Sequence, residues 1–403
     1  MKKYLSIYLL LLIVASCVPG SEQIDRNKEL EDFLNNIEEE NKKDGPIIYS
    51  ASWISSNFIT YDSQKVIADY GTRYTLKSLE RSREASAFDD LSTSTENRRM
   101  LNILKSSFVM PPPLNKELAS ELSSITTSLE AMYGSGEHCY EDGSCYDLEA
   151  FESIIDNSRD PEELLKAWHG WHEIGKPMKP MYMRMVDKGN QGSRDLGYQG
   201  LSDLWFSKYD MPADDFLNET DRVWEEVKPL YDALHCHVRA KLNEHYGDDV
   251  VPESGPLPVH LLGNMWGQSW SNIYDLVYTE ESQQNSVDVT KIIEEKGLNE
   301  IEMVEYAEDF FLSIGFEPLP DTFWERSLFV KPRDRSVVCH ASAWNLDPAN
   351  NDLRIKMCIE KNEEDFITIH HELGHIFYYQ AYNHLPTLFQ GGANDGFHEA
   401  FGD

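Results

Sequence analysis

The stretch HELGH, from His371 to His375, has the residue types and the spacing of a metal site. Two histidines four positions apart lie on one face of an α-helix, about 6 Å from each other along its axis. Both imidazoles can therefore reach the same ion. Glu372 lies beside them, where its carboxylate could take a proton from a water molecule near the metal. Because so short a pattern also arises by chance, the interpretation needs a third ligand.

The closing stretch GANDGFHEAFGD offers that third ligand, since Glu399 lies on the next helical segment. A catalytic zinc ion takes three protein ligands and keeps one position open, so His371, His375 and Glu399 form a complete predicted set. Asp403 follows Glu399 by one helical turn. Its carboxylate could accept a hydrogen bond from the far N–H of a ligand histidine, with His371 as the favoured donor.

A helix has to hold the motif, and the residues before it have the signals of a helix start. Asn362 can cap the N-terminus, and the acidic residues after it suit the positive end of the helix dipole. Gly374 leaves room near the metal, although glycine weakens a helix. His370 and His398 each directly precede a predicted ligand and are expected to point elsewhere on their helices.

Most of the remaining chain also has helical periodicity. Proline and glycine clusters, such as MPPP at 110–113 and VPESGPLP at 251–258, predict loops between the helices. The runs SVVCHASAW and DLRIKMCI, separated by DPANND, predict one small β-hairpin directly before the metal helix. No repeat or shift in composition separates domains. We therefore predict a mainly α fold with a single hairpin.

The chain has six cysteines, and four of them form two natural pairs. Cys139 and Cys145 flank a turn-forming stretch and predict a small loop disulfide. Cys339 and Cys358 lie in the two arms of the predicted hairpin and predict a disulfide across it. Cys236 lies in a helical pattern and is expected to be a buried, small apolar residue. Because no CxxC spacing occurs, a zinc site made of cysteines is not expected.

The N-terminal residues 1–16 have the three-part plan of a secretory signal, with an apolar run too short to span a bilayer. The stretch VASC, ending at Cys17, resembles a bacterial lipobox, in which Cys17 would be lipidated. An ordinary cleavage site with an incidental cysteine is the alternative. Export is therefore expected, to the periplasm or outer membrane in a bacterium and by secretion otherwise. No second hydrophobic segment predicts a transmembrane span, so a lipid anchor at Cys17 would be the membrane attachment.

The charge balance narrows the range of partners. With 36 basic and 70 acidic residues the formal net charge is −34, so nucleic acid and anionic bilayers would be repelled. The hydrophobic share of 41% and the charged share of 26% are typical of a soluble globular protein. No feature of the sequence predicts an oligomeric state.

Taken together, these motifs resemble the angiotensin-converting enzyme family of zinc peptidyl-dipeptidases. HHELGH and HEAFGD occur at the family's separation, and HLLGNMWGQSWSNIYDLV, VVCHASAW and the HCYEDGSC loop look like family segments in the same order. With the lipobox, the resemblance suggests a bacterial member. It implies a helical ellipsoid with a deep central cleft and one zinc ion at its floor. It also implies oligopeptide substrates that lose C-terminal dipeptides, with Glu372 as general base and then general acid.

The resemblance implies substrate contacts at four further positions. His340 and Ala341, on the predicted hairpin, match positions that hold the substrate backbone across the cleft. Gln268 matches a residue that binds the C-terminal carboxylate of the substrate, and Glu149 matches a residue that faces a side-chain subsite. From residue type alone, Gln268 and Glu149 are ordinary polar residues.

The family pattern continues beyond HEAFGD, whereas this sequence stops at Asp403. In the family, the residues that bind the terminal carboxylate, the oxyanion and chloride would follow. We therefore expect residues 17–403 to be the N-terminal portion of one helical domain, a fragment that holds zinc weakly, is not a competent peptidase and exposes a broad apolar face. Chloride would concern only the full-length protein. A non-catalytic binding protein on the same fold, and another gluzincin such as an aminopeptidase, are the alternatives.

Overall fold

The computed structural model of the protein describes residues 19–278 and 287–403. The predicted signal segment at residues 1–16 and the predicted lipidation site Cys17 lie outside the described residues, so both stay predictions. Within the described ranges, no helix combines the length and the apolar character that crossing a membrane requires.

Helices make up most of the described chain, as the sequence predicts. Side-chain caps set many of their starts: Thr60 and Ser63 form a capping box at one helix, and Asn299 and Glu302 form another. The described helices are α1 (Pro19–Asn57), α2 (Tyr61–Ser86), α3 (Thr95–Ser106), α4 (Lys116–Gly134), α5 (Leu148–Asn157), α6 (Pro161–Asp195), α7 (Leu201–Phe206), α8 (Ala213–Tyr246), α9 (Tyr274–Val277), α10 (Val289–Lys296), α11 (Glu300–Ser313), α12 (Asp321–Arg326), α13 (Glu363–Tyr382) and α14 (Asp395–Gly402).

The described strands form two antiparallel hairpins, one more than the sequence predicts. The predicted hairpin consists of β3 (Ser342–Asp347) and β4 (Asp352–Lys356), with Ser342 opposite Lys356. The additional one pairs β1 (Glu137–Cys139) with β2 (Cys145–Asp147). Its three-residue strands are too short to produce a readable alternation of polar and apolar residues. The mainly α fold class is confirmed.

Both predicted disulfides are present, Cys139–Cys145 and Cys339–Cys358. The first closes the turn between β1 and β2. The second joins the residues just before β3 to those just after β4, so it clamps the open end of the hairpin. The prediction that Cys236 is buried is wrong, because it lies on an exposed face of α8.

The helix that carries the HELGH motif is anchored in an apolar core. Leu373, Ile376 and Phe377 are fully buried along one face of α13. They pack with Phe311 of α11 and Leu353 of β4, and the rings of Phe311 and Phe377 stack with centroids 4.6 Å apart. Burial of each such side chain stabilises the fold by about 1.5–3 kcal/mol. The core therefore fixes the rotation of α13, and with it the direction of the histidines.

The long helix α8 is packed differently. Its buried residues, Val238 and Leu242, lie near its C-terminal end. Nearer its start, large apolar side chains are open to solvent, including Trp224 at 46% and Leu230 at 74% exposure. An exposed apolar face is expected from the sequence, and the first two-thirds of α8 provide one.

Candidate metal centre

Helix α13 begins where the sequence predicts and places the motif two turns inside it. The side chain of Asn362 accepts a hydrogen bond from the backbone N–H of Asp365 at 2.7 Å, which caps the helix. His371 and His375 then lie one turn apart on the same face. Their Nε2 atoms are 3.0 Å apart, so both imidazoles are directed at one point.

Helix α14 brings the predicted carboxylate to that point. Oε2 of Glu399 lies 3.3 Å from Nε2 of His371 and 3.7 Å from Nε2 of His375. The three ligand atoms lie within 4.8 Å of one another. At a tetrahedral zinc ion with bonds of about 2.0–2.1 Å, neighbouring ligand atoms are about 3.3 Å apart. The observed separations bracket that value, and two imidazoles with one carboxylate are a usual catalytic zinc set, so these residues fit zinc.

Two glycines allow the helices to approach this closely. A side-chain carbon on Gly374 would lie only 2.7 Å from the Cα of Gly402, and one on Gly402 would lie 2.8 Å from Nδ1 of His371. Neither position can hold a larger residue without separating α13 from α14. From the sequence, Gly374 is expected to leave space near the metal; in the structure its nearest neighbour is the backbone of α14.

Each ligand histidine has a partner on its far nitrogen. Nδ1 of His371 lies 2.9 Å from Oδ1 of Asp403, the pairing expected from the sequence. Nδ1 of His375 lies 2.6 Å from Nδ1 of His398, although the sequence predicts that His398 points elsewhere on its helix. That expectation is wrong because it considers α14 alone. Once α14 lies against α13, His398 faces α13 as well. His370 does turn elsewhere, and its Nδ1 contacts the backbone oxygen of Phe366.

Burial shapes the electrostatics of the centre. Glu372 is only 6% exposed. Burial, reinforced by the nearby carboxylate of Glu399, raises the pKa of Glu372 to about 7, although His371 opposes the shift. Burial also lowers the pKa of His375, which favours the neutral imidazole that binds metals. The site thus combines the neutral imidazole of His375 with a carboxyl, that of Glu372, whose pKa lies near neutral pH.

The predicted substrate positions at the hairpin lie next to the strand that packs against α13. His340 and Ala341 directly precede β3, and Ala341 packs against the apolar core that holds α13. Beneath them the ammonium of Lys356, which is 2% exposed, donates hydrogen bonds to the backbone oxygens of Val338 and of His340, the latter at 2.7 Å. Burial lowers the pKa of Lys356 to about 8. No motif in the sequence indicates this lysine, since its role depends on the fold of the hairpin.

The other two predicted substrate positions belong to different parts of the fold. Gln268 lies in a loop next to Met265, which is buried in a second apolar core around α5 and α6. Its backbone N–H donates to Oδ1 of Asn264 at 3.3 Å. Glu149, near the start of α5, is ion-paired with Lys331. Among the described residues, neither of these two side chains contacts the metal ligands.

An acidic cluster, missed in the sequence, connects α5 to the start of α13. It comprises Glu152 and Asp156 of α5 with Glu364 and Asp365 of α13. Burial, followed by repulsion from Glu364 and other carboxylates, raises the pKa of Glu152 to about 8 and that of Asp156 to about 7. Sequence periodicity gives no sign of this cluster because its members come from separate helices.

Fold and site together define a class of protein. It is a mainly α chain in which a second helix, carrying a glutamate, crosses the HExxH helix, as in gluzincin-type proteins. A family model described as angiotensin-converting enzyme matches residues 24–403. The chain belongs to this family, and the resemblance stated from its motifs is confirmed.

Individual relatives have the same description. The angiotensin-converting enzyme of Bos taurus is 39% identical over 362 residues, which cover 88% of this chain and 27% of the relative. That of Sus scrofa is 42% identical, over 72% of this chain and 22% of the relative. That of Haematobia irritans exigua is 33% identical, over 92% of this chain and 61% of the relative. The chain thus spans about a quarter of these mammalian relatives and 61% of the insect one.

Proposed function

We propose that this chain carries the metal centre of a zinc metallopeptidase that releases dipeptides from the C-terminus of oligopeptides. The observation that carries the proposal is the convergence of His371, His375 and Glu399 from two helices, with ligand atoms within 4.8 Å. Membership of the angiotensin-converting enzyme family supports a peptidyl-dipeptidase-like metallopeptidase. The identity of the metal as zinc and the position of the cleaved bond are more specific than family membership, and both are part of this proposal.

Zinc at this centre would act as a Lewis acid that polarises a peptide carbonyl and makes a water molecule nucleophilic at neutral pH. The chain's own reactive group is Glu372. Because burial raises the pKa of its carboxyl to about 7, it can accept a proton from the attacking water and return it to the departing amine. The carboxylate of Asp403 accepts a hydrogen bond from the Nδ1–H of His371. This hydrogen bond keeps the Nε2 lone pair of that ring directed at the centre.

The segment at His340 and Ala341 is the proposed support for the peptide backbone. The ammonium of Lys356 donates a hydrogen bond to the backbone oxygen of His340, and the Cys339–Cys358 disulfide fixes the adjacent residues. The segment is therefore held rigidly next to the hairpin strand that packs against α13. Gln268, as the contact for the substrate's C-terminal carboxylate, and Glu149, as a subsite residue, rest on the family resemblance alone. A bound chloride ion likewise rests on the resemblance.

Zinc stoichiometry tests the metal centre directly. With zinc supplied in excess, we expect saturable binding of about one zinc per chain, and much weaker binding by Glu399→Ala, because removal of one of three ligands opens the site. An exposed-surface variant such as Glu325→Ala is the matched control. Equal zinc retention by Glu399→Ala and the control would refute the ligand assignment.

Product analysis tests the position of cleavage. With N-terminally blocked tripeptides, release of a C-terminal dipeptide supports the proposal. Release of single N-terminal residues from unblocked peptides would instead identify an aminopeptidase. Because residues 17–403 alone are expected to be inactive, the assay uses a chain that also contains the residues that the family pattern places after HEAFGD. If that chain binds zinc stoichiometrically but cleaves no peptide, a non-catalytic binding role replaces peptidase activity.

A further inference from the structure

The two ligand histidines are supported in different ways, and His375 has the less usual support. Its Nδ1 lies 2.6 Å from Nδ1 of His398, and Nε2 of His398 lies 3.3 Å from the hydroxyl oxygen of Tyr382. His375 is 9% exposed and Tyr382 is 6% exposed. A connected chain of polar atoms therefore leads from the metal centre into the buried side of α13.

The direction of the hydrogen bonds along this chain follows from the metal centre. Nε2 of His375 faces His371 and Glu399, so it must offer a lone pair to an ion there. A neutral imidazole then carries its proton on Nδ1. That N–H donates to Nδ1 of His398, which leaves the proton of His398 on Nε2, where it donates to Tyr382. One set of tautomers therefore gives each of the four ring nitrogens of His375 and His398 a consistent role.

Aromatic rings hold His398 in place. The rings of Tyr378 and Tyr379 have centroids 4.8 Å and 5.0 Å from the centroid of His398. Both tyrosines belong to α13, so the imidazole from α14 is inserted among side chains of the zinc helix. Since one ring nitrogen of His398 faces His375 and the other faces Tyr382, neither is directed at the ion position. His398 is thus placed to support a ligand rather than to act as one.

We propose that His398, held by Tyr382, is a positioning residue that fixes the tautomer and orientation of His375 in the metal centre. This inference rests on the proposed zinc function. The support of His371 is a carboxylate whose side chain is 78% exposed, whereas the support of His375 is an imidazole that lies between the buried side chains of His375 and Tyr382. Hydrogen-bond partners of this kind are typically worth 10–100-fold in metal affinity.

The test measures zinc affinity by competition with a chromogenic chelator, and the visible absorption spectrum of the Co²⁺-substituted protein. His398→Ala should bind zinc at least tenfold more weakly than wild type and change the Co²⁺ bands, since His375 is free to rotate. His398→Asn should recover much of the loss, because its amide oxygen can accept the same hydrogen bond. Tyr382→Phe should give a smaller loss than His398→Ala.

His370→Ala is the matched control, since that histidine lies on the same helix and contacts the backbone oxygen of Phe366 and the rings of Phe310 and Phe366 instead of the metal centre. Circular dichroism and melting temperature verify that each variant is folded. Affinities of His398→Ala and His370→Ala within twofold of each other, with matching Co²⁺ spectra, would overturn the inference. Absence of zinc binding by the wild-type protein would instead refute the proposed function, so the two failures are distinguishable.

Discussion

A methyl group at position 374 would test how closely α13 and α14 must approach to form the metal centre. In Gly374→Ala, the new carbon would lie 2.7 Å from the Cα of Gly402 and 2.8 Å from the backbone oxygen of Phe401. Both are backbone atoms, so no flexible side chain can move aside. Because carbon atoms pack at about 3.5 Å, α14 would have to shift by roughly 0.8 Å.

Such a shift is large compared with the tolerance of a metal site, where ligand distances hold to about 0.2 Å. Glu399 and Asp403 would both move, since α14 carries Glu399 and Asp403 directly follows it. We therefore expect Gly374→Ala to bind zinc at least about tenfold more weakly. Alanine favours a helix by about 1 kcal/mol over glycine, but overpacking costs about 1–3 kcal/mol. The expected change in the free energy of unfolding is thus a net loss of up to about 2 kcal/mol.

Chelator competition and denaturant titration on the same samples give both quantities. Gly175→Ala is the matched control, because Gly175 lies inside α6 and a side-chain carbon there would have no neighbour within 4 Å. It should keep wild-type zinc affinity and gain up to about 1 kcal/mol of stability. Wild-type zinc affinity in Gly374→Ala would refute the conclusion that backbone contact between these helices defines the site.

Three further substitutions have specific expected outcomes. Asp403→Ala removes the partner of His371 and should weaken zinc binding about tenfold in the same competition assay, without lowering the melting temperature; unchanged affinity would contradict the support role. Joint replacement of Cys339 and Cys358 by serine opens a loop with a sequence separation of 19 and should lower the free energy of unfolding by about 3 kcal/mol in a urea titration. A loss below about 1 kcal/mol would contradict a stabilising disulfide. Burial raises the pKa of Glu152 to about 8, above the unfolded value of about 4.3, so its ionisation costs the native state stability as pH rises through that window. Glu152→Gln should therefore gain several kcal/mol, at most about 5, at pH 9 and nothing below pH 4, and an equal gain at both would refute the cause.

Much of the candidate site could be predicted because its residues obey local rules. The four-residue spacing of His371 and His375 dictates a shared helix face, and Asn362 signals where that helix begins. Asp403 could be assigned to His371 because it lies one turn beyond Glu399. The two disulfides followed from turns that are legible in the sequence.

The parts that escaped prediction depend on contacts between distant elements. His398 faces α13 only because α14 packs against it. The periodicity of residues within one helix does not show which other helix will pack there. Lys356 is buried under His340 because the hairpin folds over it. The helical pattern around Cys236 predicts that its side chain is buried. Burial, however, requires another element to pack against that face of α8, and in the structure Cys236 is exposed. In each case the missing information is which surfaces meet.

The proposed metal ligands and their supports form one continuous piece of the chain. His371 and Asp403 are separated by only 32 positions, and His375, His398 and Glu399 lie between them. The peptide-supporting edge at His340 comes from outside that piece. In evolution, the two could therefore change independently: a descendant could lose the ability to hold a peptide while inheriting an intact metal centre. In such a lineage, an unbroken HELGH and HEAFGD would identify ancestry rather than activity.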